Sequence, residues 1–259
     1  MQLEVTNDCN LRCKICMRTS RDVGYLKFED FKILPLKDFR EVAFHGWGEP
    51  LLHPQLFKMI SYAKSLGLKT SLITNGTLIH KNIGNIFESG LDEVAFGIYT
   101  LEEKEKVVKN LESLINEKIM RGSKLKIFID ITIFSENINE IPEIVELGSD
   151  LGVDGVVLHR IFNLHDETID YVSKDEESKL FKDVKKIKGV KVYIPKKHEI
   201  PCRIVKNCVY VTWDCLQSPC CFLCEFGYFL GRAFGNVIER HMRFVKEMDK
   251  NDVCRRCFW

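Results

Sequence analysis

Three cysteines near the start of the chain constrain its fold and chemistry most. They lie in the stretch TNDCNLRCKICMR as Cys9, Cys13 and Cys16, with the spacing C-x3-C-x2-C. A structural zinc site usually has four protein ligands, and disulfides use cysteines in pairs. Three closely spaced thiols therefore favour a metal group that keeps one coordination position without a protein ligand.

Two kinds of metal group are compatible with this loop. Three thiolates can occupy three corners of an iron–sulfur cube and leave one iron open, and soft thiolates suit such clusters. A zinc ion completed by a distant residue, such as His45 or His53, is the alternative. Zinc ligands usually come in C-x2-C pairs, so the wider first gap favours the cluster. A zinc site remains an alternative.

The remaining cysteines are confined to the C-terminal part of the chain. Of 11 cysteines, none lies between Cys16 and Cys202, and eight fall between Cys202 and Cys257. This distribution predicts two separate sites that depend on cysteine. The pair Cys254-x2-Cys257 must reach back to thiols between Cys202 and Cys224, which would close a unit too small to fold on apolar burial alone. A zinc ribbon and disulfides are the alternatives to an iron–sulfur site there.

Charge and hydropathy restrict the partners. Lysine and arginine (38) nearly cancel aspartate and glutamate (37), so neither nucleic acid nor an anionic membrane is expected as a partner. No apolar run reaches the roughly 18 residues of a membrane span, and the N-terminal residues MQLEVTNDCN do not form a secretory signal. We therefore expect a reducing, cytoplasmic setting, where cysteines more often serve metal or redox chemistry than disulfides.

Between the two cysteine groups, short apolar runs alternate with amphipathic segments. This alternation predicts parallel strands with right-handed crossovers, and six strand–helix units fall short of the eight of a closed TIM barrel. We expect an α/β fold: a partial (β/α)6 TIM-like barrel at residues 1–195, then a small cysteine-rich C-terminal extension at residues 196–259. Strands are predicted at residues 3–6, 42–45, 69–73, 93–98, 124–134, 155–159 and 190–194, and helices at 56–66, 79–89, 101–118, 138–151 and 176–187, with a tail hairpin near 209–213 and a tail helix at 240–248.

The motif FHGWGEP (residues 44–50) follows the second predicted strand. Gly46 and Gly48 let the backbone approach a ligand closely. Glu49 supplies a carboxylate that can accept hydrogen bonds from the ammonium group of an amino acid, and Pro50 stiffens the turn. A surface turn would explain the motif in isolation, but its place at a strand end favours a ligand site.

Together, C-x3-C-x2-C after a first strand and G-x-G-E-P after a second resemble the radical S-adenosylmethionine (SAM) enzyme family, over roughly residues 1–195. The resemblance implies that Cys9, Cys13 and Cys16 hold a [4Fe–4S] cluster whose fourth iron is chelated by the amino and carboxylate groups of SAM. An electron from the cluster then cleaves the sulfonium to methionine and a 5′-deoxyadenosyl radical, which abstracts hydrogen from a substrate. An electron donor such as ferredoxin or flavodoxin is implied as a partner.

The same resemblance implies cofactor-binding roles around these motifs. Gly46, Gly48, Glu49 and Pro50 would surround the methionine moiety of SAM, with Glu49 accepting hydrogen bonds from its ammonium group. Ile15, just before the third cysteine, would pack near the adenine.

Later strand ends supply further candidates. Thr74 and Asn75 end the third strand and would lie beside the cofactor, although a turn alone would also explain them. Arg160 could bind the SAM carboxylate bidentately, or be an ordinary surface arginine. The fourth strand ends in FGIYT, without the serine or aspartate that binds the ribose in related enzymes. No catalytic acid or base is assigned; the side chains near strand ends are Tyr99, His159 and His165.

The tail resembles the SPASM or twitch extension that follows many radical SAM cores, over about residues 200–259. It shares an aromatic strand end at residues 213–214, Pro-Cys-Cys at 219–221, a Gly-Asn turn at 235–236 and a terminal C-x2-C. The resemblance implies one auxiliary [4Fe–4S] cluster, with Cys221 as the alternative to Cys220. The implied ligands are Cys202, Cys220, Cys254 and Cys257.

Two departures complicate this assignment. Cys215 stands where a glycine is usual, and Cys208 and Cys224 are additional thiols. Eight tail cysteines could serve two clusters, but the chain has no cysteine between the Gly-Asn turn and the terminal pair, which favours one. The extra thiols could be a second metal site or small buried residues.

These features predict an oxidoreductase or maturase of the radical SAM type that modifies a peptide or protein, or a cofactor precursor. Enzymes with such a tail commonly act on ribosomally made peptides. The sequences CKICMR and GWGEPLLHP also resemble those of archaeal maturases of tungsten-cofactor oxidoreductases. The alternative is a non-catalytic iron–sulfur or zinc-binding protein for electron transfer or structure, which explains the tail but not Glu49 in its motif.

Overall fold

The fold was analysed in a computed structural model of the chain. It describes residues 1–18, 21–162 and 171–257, without the side chains of residues 103–106. The chain divides into two compact units. Unit 1 contains Met1–Leu72, Ser89–Leu91 and the described residues from Lys197 onward, and unit 2 contains Ile73–Glu88 and Asp92–Lys196. The division into domains at residues 195 and 196 remains a prediction, because a compact unit need not fold on its own.

Strands and helices alternate through most of the chain. The strands are β1 (Gln2–Leu3), β2 (Glu41–Phe44), β3 (Lys69–Thr74), β4 (Glu93–Gly97), β5 (Lys126–Ile133), β6 (Gly155–Arg160), β7 (Val192–Tyr193), β8 (Tyr210–Val211), β9 (Leu216–Ser218) and β10 (Gly231–Arg232). The helices are α1 (Phe28–Ile33), α2 (Leu56–Ser65), α3 (Ile83–Glu88), α4 (Leu101–Met120), α5 (Ile141–Leu151), α6 (Lys174–Val184), α7 (Arg203–Asn207), α8 (Cys221–Glu225), α9 (Val237–Glu247) and α10 (Asp252–Arg256).

Unit 1 is built on a sheet that is parallel at its centre. Strand β1 pairs in parallel with both β2 and β8, and β2 pairs in parallel with β3. Strands β8, β9 and β10 continue the sheet in antiparallel pairs, so the predicted tail hairpin is present. Helix α1 covers β2 through Phe31, whose ring lies 5.9 Å from that of Phe44, and both side chains are fully buried. Because β1 and β2 are parallel neighbours, the loops that follow them leave from the same edge.

Unit 2 contains the parallel run β4–β5–β6–β7. Helix α5 packs on it because Ile141, Ile144 and Val145 recur at helical spacing and are fully buried. The helix ends at Gly152, which has a φ of +70° that suits glycine. Strands that alternate with helices and pair in parallel confirm the predicted α/β class.

Most element bounds lie close to the prediction, and two elements differ in extent or type. Strand β1 ends at Leu3 rather than residue 6, and Thr6 instead forms an isolated antiparallel bridge with Tyr25. The predicted helix at 79–89 is a 3-10 turn, Ile79–Lys81, followed by α3. Short helices such as α7, α8 and α10, of five residues each, were not predicted because a single turn has no periodicity to detect. None of the described helices has both the length and the apolar character that crossing a membrane requires.

Candidate active site

The cysteine loop is fixed at its base by side-chain hydrogen bonds. Thr6 donates its hydroxyl to the carbonyl of Gly24 at 2.7 Å, and Asn7 Nδ2 donates to the carbonyl of Asp22 at 2.9 Å. The N–H of Gly24 donates to Asn7 Oδ1 at 2.9 Å. A Cβ at Gly24 would lie 2.2 Å from the ring of Trp213, so a side chain has no room there. Thr6 and Asn7 were not among the predicted site residues, because such residues at a strand end look like ordinary turn formers.

Within the loop, sulfur atoms accept backbone hydrogen bonds. The N–H of Leu11 donates to Cys9 Sγ at 3.4 Å, and the N–H of Arg18 donates to Cys16 Sγ at 3.5 Å. The N–H of Cys16 donates to the carbonyl of Cys13 at 3.1 Å, and the Arg18 side chain donates to the carbonyl of Leu11 at 3.4 Å. Donors to the sulfur atoms are among the features by which proteins tune iron–sulfur clusters. The loop therefore has the chemistry of a thiolate site.

The three thiols of the loop suit an iron–sulfur cluster, and one of the two histidines considered for zinc is engaged by backbone groups. Among the described residues, no three Cys, His, Asp or Glu side chains already surround a metal position, so the loop supplies suitable donors rather than a finished cage. Burial raises the pKa of the Cys16 thiol above its ordinary value. The backbone N–H and the charge of Arg18 offset part of this increase. The proposed zinc ligand His53 uses both ring nitrogens on backbone groups. Its Nε2 lies 2.8 Å from the carbonyl of Leu26, and its Nδ1 accepts from the N–H of Gln55 at 3.0 Å.

The glycine motif lies directly against the start of the cysteine loop. The N–H of Glu49 donates to the carbonyl of Asp8, the neighbour of Cys9, at 2.7 Å. A Cβ at Gly48 would lie 2.2 Å from the carbonyl oxygen of Thr6 and 2.6 Å from that of Asp8. Only glycine allows this approach. The structure therefore brings together the two motifs that the sequence analysis linked.

We expect Gly48→Ala to destabilise the protein by about 1–3 kcal/mol, because the methyl group forces the two loops apart. The free energy of unfolding in urea measures this effect. Gly84→Ala is the matched control: Gly84 lies in α3, its added Cβ would only touch Glu88 Oε1 at 3.7 Å, and alanine favours the helix. Equal stability of the two variants would contradict the close approach at Gly48.

Glu49 is buried and ordered at the start of a turn. It is 2% exposed, and its side chain accepts a hydrogen bond from the N–H of Leu51 at 3.0 Å, which caps the 3-10 turn Pro50–Leu52. Pro50 occupies the first position of that turn, where its missing N–H costs nothing. The carboxylate is thus held in place by the motif itself. Its contact with an ammonium group remains a prediction.

Gly46 is enclosed by protein rather than open to a ligand on its Cβ side. A Cβ there would lie 2.6 Å from Glu4 Cβ and 2.7 Å from the hydroxyl oxygen of Tyr210. The absent side chain at Gly46 therefore makes room for Glu4. Ile15 is half-buried in the cysteine loop, and the contacts of both residues with SAM remain predictions.

In unit 2, Thr74 and Asn75 make the hydrogen bonds of a turn. Thr74 Oγ1 accepts from the N–H of Gly76 at 3.1 Å. Asn75 Oδ1 accepts from the N–H and the hydroxyl of Thr77, at 3.0 and 2.7 Å. Gly76 has a φ of +74°, which the turn requires. A role of these side chains beside SAM remains a prediction.

Arg160 binds protein groups in unit 2. Its Nε and Nη2 donate to the two carboxylate oxygens of Glu177 at 2.5 and 3.0 Å, and its Nη1 donates to the carbonyl of Lys196 at 2.6 Å. A SAM carboxylate would have to displace Glu177, so the predicted bidentate contact needs a rearrangement. The carbonyl of Tyr99 accepts from Asn137 Nδ2 at 2.8 Å. The candidate His165 lies outside the described residues.

His159 forms an ion pair across two neighbouring strands. Its Nε2 lies 2.9 Å from Asp130 Oδ2, and the two side chains are 28% and 10% exposed. Burial alone lowers the pKa of His159, but the charge and hydrogen bond of Asp130 raise it by more, so the pKa lies above its ordinary value.

This pair gives a pH-dependent stability. Since the folded-state pKa of His159 is raised, the pair stabilises the fold fully below the unfolded-state pKa of about 6.5 and loses that effect as pH rises through the folded-state pKa. We expect the wild type to lose more unfolding free energy than His159→Asn as pH rises above about 6.5. Urea titrations at a series of pH values measure this difference, and parallel curves would contradict it.

The predicted tail ligands influence one another electrostatically within unit 1. Burial and then the charges of Cys254 and Cys257 raise the pKa of Cys220, whose Sγ accepts from the N–H of Leu223 at 3.5 Å. Burial and the charge of Cys202 raise the pKa of Cys254 to about 11. Cys220 therefore lies within electrostatic range of Cys254 and Cys257, and Cys254 within that of Cys202, although no three of the described side chains already surround a metal position. None of the eleven cysteines, all in the described part of the chain, is joined in a disulfide.

The additional tail thiols behave differently. Burial and the charges of Cys220, Cys208 and Cys224 raise the pKa of Cys221. Cys215 has a φ of +62° and is 2% exposed. That left-handed backbone explains why glycine is the usual residue at this position, and it makes Cys215 a buried turn residue.

Comparison with known proteins agrees with this geometry. The family model of the radical SAM superfamily matches residues 3–177. The chain is 28% identical to the tungsten-containing aldehyde ferredoxin oxidoreductase cofactor-modifying protein of Pyrococcus furiosus, over 93% of this chain and 79% of that protein.

Two solved structures are similar in fold. The first, a histidine-tagged anSMEcpe with bound AdoMet, has a TM-score of 0.72 at 16% identity and covers 99% of this chain and 81% of its own. The second, Streptococcus suis SuiB bound to precursor peptide SuiA, has a TM-score of 0.69 at 15% identity over 86% of this chain, which spans 59% of SuiB. These likenesses confirm the predicted partial-barrel fold class. The family match covers more than half of the chain, and the chain therefore belongs to the radical SAM superfamily.

Proposed function

We propose that the protein is an enzyme that reductively cleaves SAM and uses the resulting radical to modify a peptide or protein, or a cofactor precursor. One observation carries this proposal: the hydrogen bond from the N–H of Glu49 to the carbonyl of Asp8, which joins the glycine motif to the three-thiol loop. A non-catalytic metal protein would not need a buried carboxylate fixed beside an incomplete thiol site. Family membership implies a [4Fe–4S] cluster and SAM as cofactors.

The residues of the loop and the motif have complementary roles in this proposal. Cys9, Cys13 and Cys16 would hold the cluster, which supplies the electron for SAM cleavage when it is bound. Glu49, 2% exposed, would accept hydrogen bonds from the SAM ammonium group in a site where water competes little. The fixed base of the loop would hold the thiols in register with Glu49.

The tail would hold an auxiliary [4Fe–4S] cluster on Cys202, Cys220, Cys254 and Cys257, as a SPASM-like or twitch-like extension. The effects of Cys254 and Cys257 on the pKa of Cys220, and of Cys202 on the pKa of Cys254, support this set. Zinc in place of iron is the alternative. Metal analysis distinguishes the two, because zinc in the tail would support a zinc ribbon and iron would support the cluster.

The substrate class is supported from two directions. The Pyrococcus furiosus relative is named for modifying a cofactor, and the SuiB structure contains a precursor peptide. We infer a peptide or a small-molecule cofactor precursor as substrate, and a ferredoxin or flavodoxin as electron donor. A cytoplasmic setting agrees with eleven cysteines in metal-like spacings.

The proposal is tested by SAM cleavage. Anaerobically reconstituted protein, mixed with SAM and dithionite, should release 5′-deoxyadenosine, which liquid chromatography with mass spectrometry detects. A parallel sample without dithionite should release none. Failure of a cluster-replete, reduced sample to release this product would exclude the enzyme and leave the non-catalytic alternative.

A further inference from the structure

A fully buried carboxylate lies beneath the glycine motif. The side chain of Glu4 is 0% exposed and accepts hydrogen bonds from Arg21 Nη1 and Nη2 at 3.1 and 2.9 Å. It also accepts from the hydroxyl of Tyr210 at 2.8 Å and from the backbone N–H of Trp47 at 3.3 Å. Glu4, which directly follows β1, is therefore bound at once to Arg21, to the glycine motif and to the tail strand β8.

Arg21 extends this arrangement to the cysteine-rich tail. Its Nη2 also lies 2.7 Å from Glu225 Oε1, and the side chain of Glu225 is 0% exposed. Glu225 is the last residue of α8, which begins at Cys221. One guanidinium thus links two buried carboxylates, Glu4 near the cysteine loop and Glu225 on the tail helix. We call Glu4, Arg21, Trp47, Tyr210 and Glu225 the buried polar network.

Trp47 makes a second link between the glycine motif and α8. Its indole Nε1 donates to the carbonyl of Cys221 at 3.0 Å, and its ring lies 5.8 Å from that of Phe222 in an edge arrangement. Trp47 lies between Gly46 and Gly48 of the motif. The backbone N–H of Trp47, in the motif that is predicted to contact SAM, therefore donates to Glu4, while the indole of Trp47 donates to the tail helix.

This network resists rearrangement. Moving α8 would separate Glu225 from Arg21 and the Cys221 carbonyl from Trp47, which leaves buried charges and polar groups without partners. If α8 shifts, the glycine motif must therefore shift with it to keep these contacts. The residue that starts α8, Cys221, directly follows Cys220, a predicted cluster ligand.

We propose that the buried polar network couples the tail thiol site to the SAM site, so that metal bound by the tail fixes α8 and thereby raises the affinity of the glycine motif for SAM. The proposal rests on the function proposed above. Arg21 and Trp47 are positioning residues in it: they act on SAM through the backbone of the motif. Coupling of this kind is reciprocal, so SAM should also strengthen metal retention in the tail.

Equilibrium dialysis of SAM tests the coupling, using anaerobically reconstituted full-length protein in four forms. These are the wild type, the tail variant Cys254→Ser/Cys257→Ser, Trp47→Phe, and the combination of all three changes. We expect the tail variant to raise the Kd for SAM about tenfold, within the usual range of coupling between sites. In the Trp47→Phe background the same tail change should raise the Kd by less than about fivefold, since one of the two links is already cut.

Trp47→Phe is a mild change, because it removes the indole N–H but keeps an aromatic ring against Phe222. Tyr228→Phe is the matched control: it alters an exposed aromatic residue just after α8 and should leave the Kd unchanged. Arg21→Lys is the second network variant, which keeps the charge and loses the paired hydrogen bonds to Glu4. It weakens the other link and should reduce the tail effect to a similar extent, and the combination Trp47→Phe/Arg21→Lys should reduce that effect to below about twofold.

Hydrogen exchange gives an independent measurement. Backbone amides of residues 44–49 should exchange faster in the tail variant than in the wild type, and equally fast in Trp47→Phe/Arg21→Lys with or without the tail cysteines. Additive changes in Kd, or a tail variant within twofold of the wild type, would overturn the coupling even while the wild type releases 5′-deoxyadenosine. A wild type that binds SAM with intact coupling but releases no 5′-deoxyadenosine would instead overturn the proposed function.

Discussion

Cys13→Ala should remove about four irons from the reconstituted protein and abolish release of 5′-deoxyadenosine. Cys13 lies between the other two thiols of the loop, and a cluster held by two thiolates would be lost or fail to retain the open iron. We expect about eight irons in the wild type and about four in the variant, because the tail cluster is separate. Iron and sulfide analysis together with product detection measures both effects.

Cys208→Ala is the control for this experiment. Cys208 is a half-buried thiol outside both predicted ligand sets, so its variant should keep the wild-type iron content and activity. About four irons in the wild type, with zinc in the tail, would support the zinc ribbon. A Cys13→Ala protein that still releases 5′-deoxyadenosine at the wild-type rate would contradict the assignment of the loop.

Arg21→Met should lower the free energy of unfolding by about 3–5 kcal/mol, because it leaves two buried carboxylates without their shared counter-ion. Both Glu4 and Glu225 have side chains that are 0% exposed, so neither can recover its hydration in the folded state. The hydrogen bond to Glu4 raises the pKa of Arg21 despite burial, so the guanidinium remains charged in the network. Urea denaturation of the metal-free protein measures the change.

Arg243→Met is the matched control for Arg21. Arg243 also pairs with a glutamate, Glu239 at 3.1 Å, but the two side chains are 72% and 63% exposed. Exposed pairs of this kind contribute about 0–1 kcal/mol. Equal losses of stability in the two variants would show that Arg21 stabilises the fold no more than a surface arginine does.

The proximity of the cysteine loop and the glycine motif could be predicted from the sequence, because each follows a parallel strand. The carboxyl ends of neighbouring parallel strands lie at one edge of a sheet, so Cys9 and Glu49 had to approach each other once β1 and β2 paired. The reason for Gly46 was only partly predicted. A glycine was expected for close approach to a ligand, and the structure shows that its missing side chain admits Glu4.

The buried polar network could not be predicted from the sequence. Glu4 lies in an apolar run where a single charge has no distinguishing pattern, and its partners Arg21 and Tyr210 are 17 and 206 residues away. Arg160 illustrates the same limit, because its partner Glu177 comes from the first turn of α6, a contact that depends on the crossover after β6. Contacts of this kind arise from tertiary packing, which overrides local patterns.

The central claim is that the three-thiol loop and Glu49 form one open site in which SAM completes the cluster. Electron-nuclear double resonance of the reduced protein, with SAM labelled with ¹⁵N at its amino group, tests it most directly. We predict a ¹⁵N hyperfine coupling to the cluster in the wild type, and its loss in Cys13→Ala. A cluster-loaded, SAM-saturated wild type without this coupling would contradict the account.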